Sequence, residues 1–315
     1  MIPPRDQWCI QIDVTNACPR RCSNCTRLLA HAREPFFMPV ETFRQAVESV
    51  AEFVDQPPDR HGRRRVVGLM GGEPLLHPEF PELVRAFCRA IPDRRARGFW
   101  TGIDWKKHRH RWAVEKLLGP RPSMDVSSGR KAGYLNWNQH GESPGECPSY
   151  HQSPLVAVRD VIPDEAERWR LIEQCWMQEY WASAITPKGF FFCEVAAAFD
   201  MIFDGPGGLP ITPGCWQHDI AEYRDQIERW CPRCGFCLFD QREGQVIIPG
   251  LPHRLDSEGR DDLTASNLAT LRRLGSPRIE RGEYVIFDPP AGGGEAGGKA
   301  ETSKPWQYRV GRQQG

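Results

Sequence analysis

Apolar residues alternate with polar ones near the start of the chain and then recur at helical spacing. Residues 8–14 follow the period-two pattern of a β-strand, and residues 43–54 carry apolar side chains every three or four positions. The same patterns predict further strands at residues 65–70, 98–101 and 124–127, and helices at residues 79–90 and 107–118. Strands that alternate with helices indicate βα units around a parallel sheet, so we predict an α/β fold.

The pattern changes after residue 130. Residues 130–160 are rich in Gly, Pro, Asn and His and are predicted to form a long loop, and the capping-box spacing of Asp164 and Glu167 predicts a helix start. The chain after residue 190 is aromatic, turn-rich and cysteine-bearing. We therefore predict a barrel domain over residues 1–165, a small cysteine-rich domain over residues 166–289 and a disordered, glycine-rich tail over residues 290–315.

Charge and composition exclude some classes of protein. Lys+Arg and Asp+Glu balance at 41 each, which argues against a sequence-independent binder of nucleic acid. No apolar run reaches the roughly 18 residues of a membrane span, and the first residues lack the apolar stretch of a signal peptide. We expect a cytoplasmic protein without a membrane partner. Its 12 cysteines are then expected to bind metal or take part in catalysis.

Three of those cysteines lie in a short loop after the first predicted strand. Cys18, Cys22 and Cys25 have the spacing C-x3-C-x2-C. A structural zinc site is normally closed by four ligands, and no fourth is evident here. A [4Fe–4S] cluster bound by three thiolates keeps one iron open to a chelating small molecule. The spacing therefore favours a site that performs chemistry, with structural zinc as the alternative.

A second motif, Gly71-Gly72-Glu73-Pro74, stands at the end of the second predicted strand. Glycines let a backbone approach closely, and a carboxylate can accept hydrogen bonds from an ammonium group. Together with the cysteine loop, this motif resembles the radical S-adenosylmethionine (radical SAM) superfamily. The resemblance implies a partial (β/α)6 TIM-like barrel and a catalytic [4Fe–4S] cluster on Cys18, Cys22 and Cys25. It also implies that S-adenosyl-L-methionine is bound by Gly71, Gly72, Glu73 and Pro74, and by Thr101 and Ser127 at the ends of the next two strands.

The resemblance further implies an enzyme that cleaves SAM reductively. The resulting 5′-deoxyadenosyl radical would abstract hydrogen from a small-molecule or peptide substrate, and an external donor such as flavodoxin or ferredoxin would supply the electron. The net reaction would be an oxidation, an epimerisation or another peptide or sugar modification. One residue departs from the usual family pattern, because Asn24 stands where an aromatic residue commonly precedes the third cysteine. A non-catalytic zinc-binding protein is the alternative.

A second set of cysteines follows in the second half of the chain. Cys231, Cys234 and Cys237 have the spacing C-x2-C-x2-C, which is typical of a metal site, and Cys175 and Cys193 precede them. This set resembles the SPASM or twitch extension of radical SAM enzymes, although three residues rather than four separate Gly189 from Cys193. The resemblance implies one auxiliary [4Fe–4S] cluster held by Cys193, Cys231 and Cys234, with Cys175 or Cys237 as the fourth ligand. A zinc ribbon is the alternative.

Overall fold

The protein is described by a computed structural model that covers residues 1–124, 132–137, 152–240, 245–246, 251 and 259–288. A mixed sheet of six strands lies at its centre, in the order β4-β3-β2-β1-β5-β6. Its strands are β1 Cys9–Asp13, β2 Val66–Met70, β3 Arg97–Thr101, β4 Tyr134–Trp137, β5 Ala182–Thr186 and β6 Gly189–Phe191. The first five strands run parallel, and β6 returns antiparallel to β5. The predicted α/β class with a mostly parallel sheet is confirmed.

The mostly parallel sheet is consistent with the partial (β/α)6 barrel that we predicted. The neighbour of β5 in the sheet was not predicted from the sequence. Here β5 lies beside β1, with Cys9 opposite Ala182 and Ile12 opposite Ile185. The sheet therefore crosses the domain boundary that we predicted after residue 165, because β5 and β6 both follow it in the chain.

A further strand lies in the segment that we predicted as a loop. This strand, β4, is formed by Tyr134–Trp137, whereas the strand predicted at residues 124–127 falls on residues that the structure does not describe after residue 124. The ring of Tyr134 packs edge-on against Trp8 and Trp100, at centroid distances of 5.6 and 5.3 Å. These contacts come from residues distant in the chain, so a local pattern does not reveal them. Residues 125–131 and the predicted tail lie outside the described residues.

Helices cover one face of the sheet and build the C-terminal part of the chain. The first three are α1 Val40–Ser49, α2 Phe80–Ala90 and α3 Arg111–Leu118. The remaining helices are α4 Val158–Val161, α5 Glu165–Glu173, α6 Met177–Tyr180, α7 Glu194–Ile202, α8 Arg224–Trp230, α9 Ala265–Arg273 and α10 Pro277–Glu280. Asp164 caps α5 by accepting from the backbone N–H of Glu167 at 2.7 Å, so the predicted helix start is confirmed.

Two further pairs of strands lie outside the central sheet. The antiparallel pair joins β7 Phe239–Asp240 to β8 Gln245–Val246, and the parallel pair joins β9 Asp261–Leu263 to β10 Tyr284–Ile286. Among the described residues, no helix has the length and apolar composition needed to cross a membrane.

The two faces of the central sheet bury different side chains. Ile10 and Ile12 of β1 join the main core with the residues of α1 and α2, whereas Cys9 packs with Trp100 on the opposite face. The indole ring of Trp100 lies over Gly68 and Gly98, where an added Cβ atom would stand 2.0 and 2.5 Å from the ring. These two glycines therefore make room for one large side chain on this face of the sheet.

Candidate active site

The three cysteines of the first set line one cavity at the carboxyl ends of β1, β2 and β3. Cys18, Cys22 and Cys25 share its wall with Gly71–Glu73 and with Thr101–Ile103. Each segment follows directly from a strand of the parallel sheet, and ligands of open α/β sheets bind at this edge. The fold thus brings the cysteine loop, the Gly-Gly-Glu motif and Thr101 together, as the sequence predicted. Ser127, the other residue predicted to contact SAM, lies outside the described residues.

The two glycines of the motif are needed for contact with the cysteine loop. Gly72 donates its backbone N–H to the carbonyl oxygen of Thr15 at 2.6 Å, and Glu73 donates to that of Ala17 at 2.8 Å. A Cβ atom would stand 2.2 Å from the Thr15 oxygen at Gly71, and 2.2 Å from the Ala17 oxygen at Gly72. Gly71 also has a φ of +134°, which disfavours other residues. Both glycines also line the cavity of the three cysteines, so they make room for the backbone that leads into Cys18 and still face the space where a ligand was predicted.

The carboxylate of Glu73 is held in place by three donors. It accepts hydrogen bonds from the Thr101 hydroxyl and the Gly102 backbone N–H, both at 2.9 Å, and from the Leu75 backbone N–H at 3.2 Å. Glu73 is 1% exposed, and burial holds its pKa above the usual range of a carboxyl group, against the opposing effect of these hydrogen bonds. Pro74 then begins the short helical turn Pro74–Leu76. Thr101 therefore belongs to the site by a direct contact with Glu73.

The C-terminal segment clamps the cysteine loop, a feature that the sequence did not reveal. Asn24 donates its backbone N–H to Asp261, and its side-chain amide donates to Asp262 at 3.0 Å. The buried guanidinium of Arg278 donates to the carbonyl oxygen of Arg21 at 3.1 Å and pairs with Asp261 at 2.8 Å. Asn24 thus binds β9 in the position where the family commonly has an aromatic residue. No motif marks these partners, because each is an isolated polar residue far along the chain.

All five predicted cysteines of the second set line another, apolar cavity. They are Cys175, Cys193, Cys231, Cys234 and Cys237, and aromatic side chains such as Phe192, Trp230 and Phe236 surround them. Cys193 lies at the N-terminal end of α7, immediately before its first residue, Glu194. Cys215 lies elsewhere, buried beside Ser49 and Tyr223. The five candidate ligands of the second set therefore line one cavity.

Burial makes these thiols poor acids in the absence of a metal. It raises the pKa of Cys18 and of Cys193 to about 12 in each case. A thiol in such surroundings gives up its proton when a cationic metal takes the proton's place. In the described part of the chain, no group of three or more His, Cys, Asp or Glu side chains is arranged as the ligands of a metal ion.

A buried set of charges joins the two cysteine sites. Arg27 follows Cys25 by two residues, and its guanidinium pairs with Asp13 at 3.0 Å and with Glu194 at 3.1 Å. Glu194 directly follows Cys193 and is fully buried. Burial raises the pKa of Glu194 to about 7, although the neighbouring Arg27 opposes that effect. Arg27, which lies near the first cysteine set in the chain, thus contacts Glu194, which adjoins the second set.

Comparison with known proteins gives a limited result. No family model matches the chain, and a search of curated proteins finds no match. Among solved structures, the chain is similar to the crystal structure of BtrN in complex with AdoMet and 2-DOIA. The two share 15% sequence identity with a TM-score of 0.40, over 72% of this chain and 92% of that chain. The function proposed below therefore rests on the residues of this chain.

Proposed function

We propose that this protein is a radical SAM enzyme. The observation that carries the proposal is the shared cavity of Cys18, Cys22, Cys25, Glu73 and Thr101 at the carboxyl ends of three neighbouring parallel strands. A structural zinc site would need the thiolates but gives no role to the buried carboxylate of Glu73, which is fixed by three donors in the same cavity. A cluster that binds an amino-acid ligand explains both the thiolates and the carboxylate, because the carboxylate would accept from the ammonium group of that ligand.

The residues around this cavity fit the binding of a cluster and of SAM. Three thiolates from one loop would hold a [4Fe–4S] cluster and leave one iron without a protein ligand. When bound, the reduced cluster supplies the electron that cleaves SAM into methionine and a 5′-deoxyadenosyl radical. Glu73 would accept hydrogen bonds from the ammonium group, while Thr101 and Gly102 keep its carboxylate in position. Gly71 and Gly72 hold the motif against the cysteine loop.

The second cysteine set is proposed to hold one auxiliary [4Fe–4S] cluster. Four of its five cysteines would be ligands, with Cys193, Cys231 and Cys234 among them and Cys175 or Cys237 as the fourth. Aromatic and aliphatic side chains around the site would keep water from the cluster. An auxiliary cluster suits a reaction that removes an electron from a substrate radical, and a flavodoxin or ferredoxin would reduce the first cluster.

Metal analysis of anaerobically purified protein tests this proposal. The wild-type chain is expected to contain about eight irons with matching sulfide, and the triple variant C18A/C22A/C25A about four. With dithionite as reductant, the wild-type protein is expected to convert SAM to 5′-deoxyadenosine, and the triple variant is not. Zinc without sulfide would support the non-catalytic alternative. Continued formation of 5′-deoxyadenosine by the triple variant would refute the assignment of the first site.

A further inference from the structure

A larger cavity adjoins the one that contains the first cysteine set. Its volume is about 410 Å³, within the range of small-molecule sites. Arg27, Leu29 and Gly71 line both cavities, so a molecule in the larger one would contact the walls of the cysteine cavity. This larger cavity, which we call the side cavity, also lies at the carboxyl ends of β1 and β5, beside Asp13 and Thr186.

The walls of the side cavity differ in polarity. The end of β1 and the loop after it contribute Asp13, Thr15 and Asn16, whereas α7 contributes Ala198, Met201 and Ile202. A ligand there would place its polar groups toward β1 and its carbon skeleton toward α7. This arrangement suits a small molecule that combines charged or hydroxyl groups with a compact apolar frame.

The charges around the side cavity have an acidic excess. Its walls and their direct ion-pair partners hold four carboxylates against two guanidinium groups, namely Asp13, Glu34, Glu194 and Asp204 against Arg27 and Arg33. Opposite charges attract most strongly where water is largely excluded. The buried part of this set has two carboxyl groups, Asp13 and Glu194, for the one guanidinium of Arg27, and burial raises the pKa of both carboxyl groups, that of Glu194 to about 7.

The contacts of the buried charges show which of them is open to a ligand. Arg27 is fully engaged, because its three nitrogens face Asp13, Glu194 and Gln11. It therefore has little capacity to bind an anionic substrate. Both carboxylate oxygens of Asp13 contact the Nε atom of Arg27, and in the described part of the chain the carboxylate accepts from no other residue. A carboxylate has about four acceptor positions, so Asp13 keeps capacity for another donor.

We propose that the side cavity binds the substrate, and that the substrate is a small molecule whose ammonium group pairs with Asp13. This inference rests on the proposed function, because it places the substrate next to the site of SAM cleavage. Asp13 lies at the end of the central strand β1, with its side chain 8% exposed, and lines the side cavity beside Arg27, which lines both cavities. A primary amine bound there would be held close to the cysteine cavity by a partly desolvated ion pair.

Matched amine and alcohol probes test this inference without turnover. Glucosamine is compared with glucose, and cyclohexylamine with cyclohexanol, since within each pair an amino group replaces one hydroxyl. Binding is measured by calorimetry on the iron-loaded protein without reductant, at low and high salt. At least one amine is expected to bind about tenfold or more tightly than its alcohol, with a preference that high salt weakens only slightly, because salt screens a buried ion pair much less than an exposed one. Equal affinity within both pairs, including no measurable binding, would overturn the inference.

Two variants identify the residues that carry the preference. Asp13→Asn is expected to abolish the preference for the amine, whereas Glu41→Gln, on the exposed surface of α1, retains it. Because Asp13→Asn alters a buried ion pair, Met201→Trp is added to fill the side cavity from its apolar wall. This second variant is expected to block amine binding with unchanged iron content. A preference that survives both variants would overturn the inference, and a parallel assay for 5′-deoxyadenosine tests the proposed function separately.

Discussion

Gly72 shows how a single residue sets the position of the cysteine loop. Its N–H bonds the Thr15 oxygen, and a methyl group at this residue would stand 2.2 Å from the Ala17 oxygen. Gly72→Ala is therefore expected to displace the backbone before Cys18 and to remove most of the iron of the first site. Iron and sulfide content per chain measure this loss. Gly62→Asn is the control, because a Cβ atom there meets no atom within 4 Å and Asn tolerates the left-handed φ of +74° at this position. Full iron content in Gly72→Ala would contradict the prediction.

Glu73 is the residue whose change separates SAM binding from cluster binding. Glu73→Gln keeps an acceptor for Thr101 and Gly102 but removes the negative charge that would face the ammonium of SAM. Loss of a charged hydrogen bond costs about 1.5–3 kcal/mol, so SAM affinity is expected to fall about ten- to one-hundredfold. Equilibrium dialysis measures the affinity, and iron content is expected to stay unchanged. Glu79→Gln, exposed in the same region, serves as the control, and unaltered SAM affinity in Glu73→Gln would exclude this role.

Helix α7 carries two buried carboxylates with different partners. Glu194 pairs with Arg27 beside the first cysteine loop, whereas Asp200 pairs with Lys188 at 2.6 Å. Glu194→Gln is expected to shift the potential of the first cluster to more positive values, because it leaves the Arg27 charge less compensated. The shift is measured by redox titration in the C231A/C234A background, where the auxiliary cluster is absent.

Asp200→Asn is the matched control for this comparison. It removes a fully buried carboxylate from the same helix without touching Arg27, so the potential of the first cluster is expected to stay where it is. Equal shifts in the two variants would mean that α7 acts through a general loss of structure. No shift in either would mean that the buried pair does not influence the first site.

The second cysteine site depends on several elements that meet around one cavity. Cys193 begins α7, and Cys231 begins the turn that follows α8. Replacing Cys231 and Cys234 with Ser is expected to remove about four irons and leave the first cluster intact. The midpoint of thermal unfolding is also expected to fall, because two hydroxyl groups would then lie unbound in an apolar cavity. Unchanged iron content would show that other residues are the ligands.

At the scale of the whole molecule, the C-terminal segment holds the first site in place. Arg278 is fully buried and bonds the carbonyl oxygens of Arg21 and Cys22, at 3.1 and 3.4 Å. Arg278→Gln is expected to remove the ion pair with Asp261 and weaken the hold on the carbonyl oxygens of the cysteine loop, and so to speed the loss of iron from the first cluster on exposure to a chelator. Absorbance of the cluster follows this loss in time. Arg281→Gln, which alters an exposed ion pair with Glu283, is expected to lose iron at the wild-type rate, and equal rates in both would count against the clamp.

The local pattern of apolar residues predicted individual strands and helices, but it did not predict how the strands are arranged in the sheet. The period of apolar residues identified β1 and α2, and the capping residue Asp164 marked the start of α5. The sequence singled out Cys18, Cys22 and Cys25 because the ligands proposed for one cluster lie close together in the chain. The neighbour of β1 across the sheet was not found, because strand pairing depends on packing between distant segments. The contacts of Asp261 and Arg278 with the cysteine loop were not predicted for the same reason, because both are isolated polar residues without a motif.

The position of β1 in the sheet determines how late in synthesis the fold around the first site is completed. Its partner β5 lies more than half the chain away, and the bond from Asn24 to Asp261 spans 237 positions. During synthesis the chain emerges from its N-terminus, so β1 and the cysteine loop leave the ribosome long before these partners. The sheet is completed only after Thr186 has emerged, and the loop is clamped only after Arg278 has done so. Iron delivery to the first site is therefore expected to act on a nearly finished polypeptide, and a stalled or shortened product would release its metal to the cell.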